Sequence, residues 1–270
     1  MCRPSARFTT SSIAWAIDCG ASARPNPKKI PETDAIFAHL KQTHTAAALE
    51  PQTLRISIDT KAKVKIGDFS RGGTARGTEA VRAMDHDMHP DALLSPAGIL
   101  EVDKHQLNLI FGNSRDTSDF VADCIELWWA DRKAAHPGVC RLLIDLDNGP
   151  EIASSRTQFM KRLVDFSDRS GLVLELAYYP PYHSKYNRIE RCWGILENHW
   201  NGALLHSVAT AVNWAGTMTW RGVSPTVHVL DRIYPTGVRI ATKMFRETAA
   251  RLDRSESLPK WSLVIQPQAG

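Results

Sequence analysis

The sequence predicts an α/β fold, a mixed sheet covered by helices, from three observations. Short apolar runs rich in β-branched residues come first, in close succession. Beyond about residue 117 such runs alternate with stretches of helical periodicity. Of the 270 residues 43% are hydrophobic, enough to bury a full core. Strands in antiparallel succession followed by strand–helix alternation give a mixed sheet with helices on its faces. The chain carries no internal repeat and no apolar run long enough to span a membrane.

Residues 1–29 show no sustained periodicity and read as a poorly structured leader. Residues 30–53 form a helical lead-in. Within it Ile36, Phe37 and Leu40 give residues 30–42 an apolar face, and Pro31 suits the first turn. The main body runs over residues 54–267. Residues 54–59 and 63–67 read as one hairpin, residues 98–102 and 106–111 as a second strand pair. A long helix follows over 117–135, with Phe120, Val121, Cys124, Ile125, Leu127 and Trp128 on its apolar face. Residues 141–147 are then strand, 156–169 helix, 172–177 strand and 189–200 helix.

The turn after the strand at 172–177 carries the most chemistry. Pro180 and Pro181 cannot continue a strand, and Asn187 suits the cap of the next helix. Glu190 is thereby delivered into that helix's first turn. Two earlier strands also end in aspartate, at Asp59 and at Asp147. Three carboxylates on neighbouring elements point to a divalent-metal site, because hard cations prefer oxygen ligands. Asp145 and Asp147 share a face of their strand, so either could point at a metal.

A net charge of +4 and a pI near 8.8 are compatible with a polyanionic partner without requiring one. Cys2, Cys19, Cys124, Cys140 and Cys192 have no paired metal-ligand spacing. Their scatter argues against a zinc module and for reduced thiols in a cytosol. The short apolar run at 12–17 meets Asp18 too soon for a secretory signal. The expected location is the cytoplasm.

The order strand–aspartate at Ser57-Ile58-Asp59-Thr60-Lys61, Phe69-Ser70-Arg71-Gly72-Gly73, Asp85-His86-Asp87, Leu146-Asp147-Asn148-Gly149-Pro150, Pro180-Pro181-Tyr182-His183-Ser184-Lys185-Tyr186-Asn187, Glu190-Arg191-Cys192-Trp193 and Met218-Thr219-Trp220-Arg221-Gly222 resembles the Rhodopirellula-type DDE transposases of bacterial insertion sequences. The likeness runs over about 28–267. Mariner-like transposases share the weaker outline of a Pro-Pro turn followed by Asn-Pro-x-Glu. The resemblance implies a ribonuclease-H-like fold in which Asp59, Asp147 and Glu190 are both the catalytic residues and the ligands of two Mg²⁺ or Mn²⁺ ions. It implies strand cleavage and transfer at insertion-sequence ends, with transposon-end and target DNA as partners and a homo-oligomer in the DNA complex. Two other readings stand beside it: another ribonuclease-H-like nuclease or recombinase, and an inactive DNA-binding remnant.

Asp147 is preferred to Asp145 because Asn148-Gly149-Pro150 follows it as in the family. Asp145 is left as a residue behind the metal ligands or as a salt-bridge partner. Lys61, His183, Lys185 and Asn187 are candidates for supporting the ligands or touching DNA. For His183 the alternatives are orienting the scissile phosphate and fixing the turn. Lys61, Lys63, Lys65, Arg71, Arg76 and Arg82 could neutralise DNA phosphates or form a solvated hairpin face. Glu197 reads as a solvated helix charge, Trp128, Trp129, Trp193 and Trp200 as core, and Asp85 to His89 as a structural or DNA-contacting cluster. Arg188 stands where the family has proline, at the positive end of a helix dipole. No helix-turn-helix domain is legible ahead of the core. The chain is therefore expected to be a truncated copy, with residues 9–22 read as a frameshifted remnant of a recognition helix.

Overall fold

Leu54, Ile56 and Ile58 alternate with polar residues, and this lays strand β1 (Thr53–Thr60) into the middle of a nine-stranded mixed sheet. The computed structural model describes residues 28–74, 82–84 and 89–268. Residues 1–27 of the expected leader with the frameshifted segment among them, Arg76, and Asp85 to Met88 of the acidic-histidine cluster lie outside those residues. Strand β2 (Val64–Ile66) is short, and β3 (Ala92–Glu101) and β4 (Gln106–Gly112) form the second expected pair, antiparallel from Ser95↔Gly112 to Glu101↔Gln106. Strands β5 (Arg141–Leu146) and β6 (Val173–Tyr178) lie parallel to β1. Three more, β7 (Thr226–Leu230), β8 (Leu252–Arg254) and β9 (Ser262–Ile265), complete the order β7-β4-β3-β1-β5-β6-β9-β8, with β2 also paired to β3.

The first expected hairpin does not form. β1 and β2 pair with the same partner, β3, at successive places: Ile56 to Thr60 face Glu101 to Ala97, and Val64 to Ile66 face Leu94 to Ala92. Lys61 N still donates to Pro96 O at 2.9 Å. The chain thus continues along β3 instead of folding back on itself.

Among the described residues five helices lie against the sheet, α1 (Thr33–Leu49), α2 (Ser118–Arg132), α3 (Thr157–Ser170), α4 (Glu190–Trp200) and α5 (Val208–Thr217), and a sixth, α6 (Thr242–Ala249), packs on α3. α1 extends two turns beyond the expected helix. α2 begins where Thr117 accepts a hydrogen bond from Phe120 N. α3 ends at Gly171, whose left-handed φ of 73° suits only a residue without a side chain. α2 and α3 cover the face bearing Ile56 and Ile58, while α1, α4 and α5 cover the face bearing Arg55, Ser57 and Asp59. Under α4 and α5, Leu100, Leu107, Leu109 and Phe111 pack on Trp193, Leu196 and Trp200. Trp128, Trp193 and Trp200 are core, as expected, while Trp129 is only half-buried and packs against the edge of the core. So is Cys192, whose thiol burial pushes up to about 12. Among the described residues no helix is long and apolar enough to cross a membrane.

A buried charge fastens α2 to β3. Glu101 accepts from Arg132 Nε at 2.7 Å, Trp128 Nε1 at 3.2 Å and His136 Nε2 at 2.9 Å. Burial alone would raise its carboxyl, but the hydrogen bond and charge of Arg132, helped by Trp128 and His136, hold it below the ordinary value.

Candidate active site

Three elements each carry an acid at or beside one terminus. Asp59 is the penultimate residue of β1, Asp147 follows β5 directly, and Glu190 opens α4. Asp59 is only 7% exposed. Its Oδ1 accepts from Thr60 N and its Oδ2 from Trp193 Nε1, each at 2.8 Å. Burial and then the negative charge of Asp147 push Asp59 up to about 7, with a smaller push from Glu190, against the hydrogen bonds from Trp193 and Thr60. Burial also raises Asp147, as does the charge of Glu190, against a 3.2 Å hydrogen bond from Gly149 N. The three carboxylates therefore lie within one another's electrostatic reach. Among the described residues, no three His, Cys, Asp or Glu side chains close into a ready-made metal cage. Asp59 instead directs both oxygens at protein donors, each of which leaves lone-pair capacity for a further partner.

Glu190 is positioned by a buried clamp. Ser57 Oγ donates to Asn187 Oδ1 at 2.5 Å, Asn187 Nδ2 donates to Ile58 O at 3.0 Å, and Ile189 N donates to Ser57 Oγ at 3.0 Å. Asn187 is thus not the cap of α4. Its side chain is spent on β1, and Ile189 occupies the cap position without a side-chain bond. Gly98, opposite Asp59 in the β1–β3 register, completes the seat. A side chain there would lie 2.8 Å from Trp193 and 2.9 Å from Ile189, so its absence lets α4 lie on the sheet beside Asp59.

Asp145, fully buried, accepts from Arg55 (2.6 and 3.0 Å) and lies 2.8 Å from His44 Nε2. It is a salt-bridge partner, with both oxygens engaged. His183 is buried and donates through Nδ1 to Pro181 O at 2.7 Å, with its ring stacked on Tyr186 and edge-on to Phe37. It fixes the turn. In that turn Tyr182 adopts a left-handed φ of 64°, and Lys185 lies over the Tyr186 ring. Arg188 lies outside α4, one residue before the cap, so the proline exchange leaves Glu190 in the first turn. Lys61 and Arg71 both pair with Glu197, at 2.8 and 2.7 Å. Glu197 is therefore no solvated charge.

Ser57, Gly98 and Trp193 as a positioning set were not singled out from sequence. Ser57 alternates with buried aliphatics like any polar strand residue, and its partner stands 130 positions away. The signal that could have found it is a small hydroxyl two residues before a strand-end aspartate.

A sheet of this order, with acids from two strands and a following helix gathered at one edge, defines a ribonuclease-H-like domain. The chain belongs to the family described as the Rhodopirellula transposase DDE domain, matched over residues 21–267. No curated protein matches it in sequence. Among solved structures, it is similar to the Mos1 transposase paired-end complex with the left transposon end, with a TM-score of 0.50 at 8% identity over 72% of this chain. A Mos1 mariner paired-end complex with Mn gives 0.45 at 9% identity, also over 72% of this chain. The chain spans 56% and 57% of the lengths of those two chains.

Proposed function

We propose that this chain is the catalytic core of a DNA transposase, cleaving and transferring DNA strands at insertion-sequence ends with the help of divalent cations. The observation that carries the reading is the common field of Asp59, Asp147 and Glu190, with Glu190 held to β1 by the Ser57–Asn187 clamp. Their chemistry fits a hard cation. Each is an oxygen donor, and Asp59 is raised to about 7 by its burial and then by the negative charge of Asp147. Asp59, Asp147 and Glu190 would hold Mg²⁺ or Mn²⁺, two ions in this reading. Such ions, when bound, activate an attacking water or 3′-hydroxyl and stabilise the leaving oxyanion.

The protein's own contribution is placement. Thr60 N and Trp193 Nε1 fix the Asp59 carboxylate, Gly149 N orients Asp147, and the α4 seat sets Glu190. Pre-set ligands spare the reaction the cost of organising them in the transition state. The proposed partners are transposon-end and target DNA, bound by two or more copies, in the cytoplasm and on the nucleoid. The Mos1 complex with its transposon end supports the first by likeness of fold.

The test is plasmid nicking at insertion-sequence ends with and without Mg²⁺ or Mn²⁺. Cleavage should need the metal and fall at least about 100-fold in Asp147→Asn, which keeps the shape and removes the charge that binds cations. Cleavage at the parent rate in that variant would sink the assignment.

A further inference from the structure

Directly after β1 the chain lines an open groove of about 550 Å³ with Lys61, Lys63, Lys65, Ser70 and Arg71, and Glu197 of α4 closes one side of it. The segment around Arg71 is strapped to the end of α4. Gly67 N donates to Leu205 O at 2.9 Å, and Gly202 N to Gly72 O at 2.8 Å. The Arg71 guanidinium lies over the Trp200 ring, 5.3 Å from its centre. Its Nη2 donates to Glu197, while its buried Nε has no acceptor among the described residues. Lys61 and Arg71 are each 17% exposed, so both cations are drawn in from solvent and share one carboxylate.

A carboxylate gripped by a lysine and an arginine presents the same two anionic oxygens that a phosphodiester would. Glu197 lies seven residues beyond Glu190 on α4, about 10 Å along the helix and on nearly the same side of it. The groove therefore adjoins the acids from the Lys61 end of β1. We propose that it is a phosphodiester-binding subsite for the DNA strand that reaches the candidate active site, and that in the DNA-free chain Glu197 occupies the phosphate's place on Lys61 and Arg71. This rests on the reading of the chain as a DNA-acting enzyme. DNA must displace Glu197 to engage these two cations, so part of the binding energy is spent breaking an internal pair.

The experiment is fluorescence anisotropy of a short fluorescein-labelled duplex titrated with the full chain in EDTA, at several salt concentrations, with circular dichroism melts of every variant. Glu197→Gln should bind about 3- to 10-fold more tightly and with a steeper salt dependence, because two cations are released to phosphates. Lys61→Gln with Arg71→Gln should bind at least about 10-fold more weakly, with a salt slope shallower by roughly 1.8, two contacts at about 0.9 each. Lys243→Ala on α6 should bind as the parent does. Unchanged or weaker binding by Glu197→Gln, parent-like binding by the folded double variant, or no binding by any form overturns the proposal. Should the double variant not fold, Glu197→Gln alone decides. The assay contains no metal and reads no cleavage, so its failure is separate from that of the nicking test.

Discussion

Trp193 Nε1 donates to Asp59 Oδ2 at 2.8 Å, tying the helix that begins with Glu190 to the strand that ends beside Asp59. The bond does two things at once. It fixes the direction in which the Asp59 carboxylate can point, and it opposes the rise that burial and neighbouring acids impose on it. Trp193→Phe keeps an aromatic ring in the core and removes the donor. The expected loss in urea denaturation is about 1.5–3 kcal/mol, the range for a hydrogen bond to a charged group. Nicking activity should fall by more than this stability loss explains, because Asp59 is then free to turn.

Two glycines separate packing from propensity. Gly98→Ala would set a methyl group 2.8 Å from Trp193 and 2.9 Å from Ile189, inside any tolerable contact. The expected cost is about 1–3 kcal/mol of stability from overpacking, with a larger loss of nicking as α4 lifts from β1. Gly194→Ala, on the exposed side of the same helix with nothing within 4 Å, should gain roughly 0.5–1 kcal/mol from helix propensity. Equal effects in chemical denaturation would contradict the seating of α4 on Gly98.

The elements that frame the candidate site were legible because their signals are local. The alternation of Ile56 and Ile58, the periodicity of α2 and the Pro180-Pro181 break can each be read within a dozen residues. Pairing was not local. β1 and β2 look like a hairpin, yet both pair with β3, whose ten residues are long enough to take them at successive places. Asn187 was read as a cap because asparagine before a helix usually is one. The two oxygens it faces, Ser57 Oγ and Ile58 O, stand about 130 positions earlier. β7 and α5 escaped notice for a similar reason. Thr226 to Leu230 is five residues long and is a strand because β4 lies beside it.

Glu101 and His136 should contribute a loss of stability in acid. Burial, with a smaller push from Lys104, lowers His136 below the ordinary imidazole value of 6.5, against the pull of Glu101. Despite its burial Glu101 lies below 4.5. For both groups the unfolded chain takes up protons first, so stability rises with pH. The contribution of these two groups should begin to fall below about pH 6.5 as unfolded His136 protonates, and fall further from about 4.5 down through the folded value of Glu101. Glu101→Gln should flatten the lower part of this loss in denaturation measured across pH, and cost about 3–5 kcal/mol at neutral pH by stranding Arg132.

Asp59 should behave in the opposite sense. Its folded value of about 7 stands above the ordinary 3.8, so the folded chain holds the proton more tightly and ionisation costs stability as pH rises between those two values. The cost is complete above about pH 7. Each unit of displacement corresponds to about 1.4 kcal/mol, which bounds the burden of an ionised Asp59 at on the order of a few kcal/mol. Asp59→Asn, in the presence of EDTA, should therefore melt at a higher temperature than the parent at pH 8, with the gap narrowing at pH 5. Divalent cations should raise the melting temperature of the parent at pH 8 and do less for the variant, because bound cation supplies the positive charge that the buried carboxylate lacks. A variant less stable than the parent at pH 8, or one stabilised by Mn²⁺ as strongly as the parent, would show that the strain at Asp59 is not what a cation relieves.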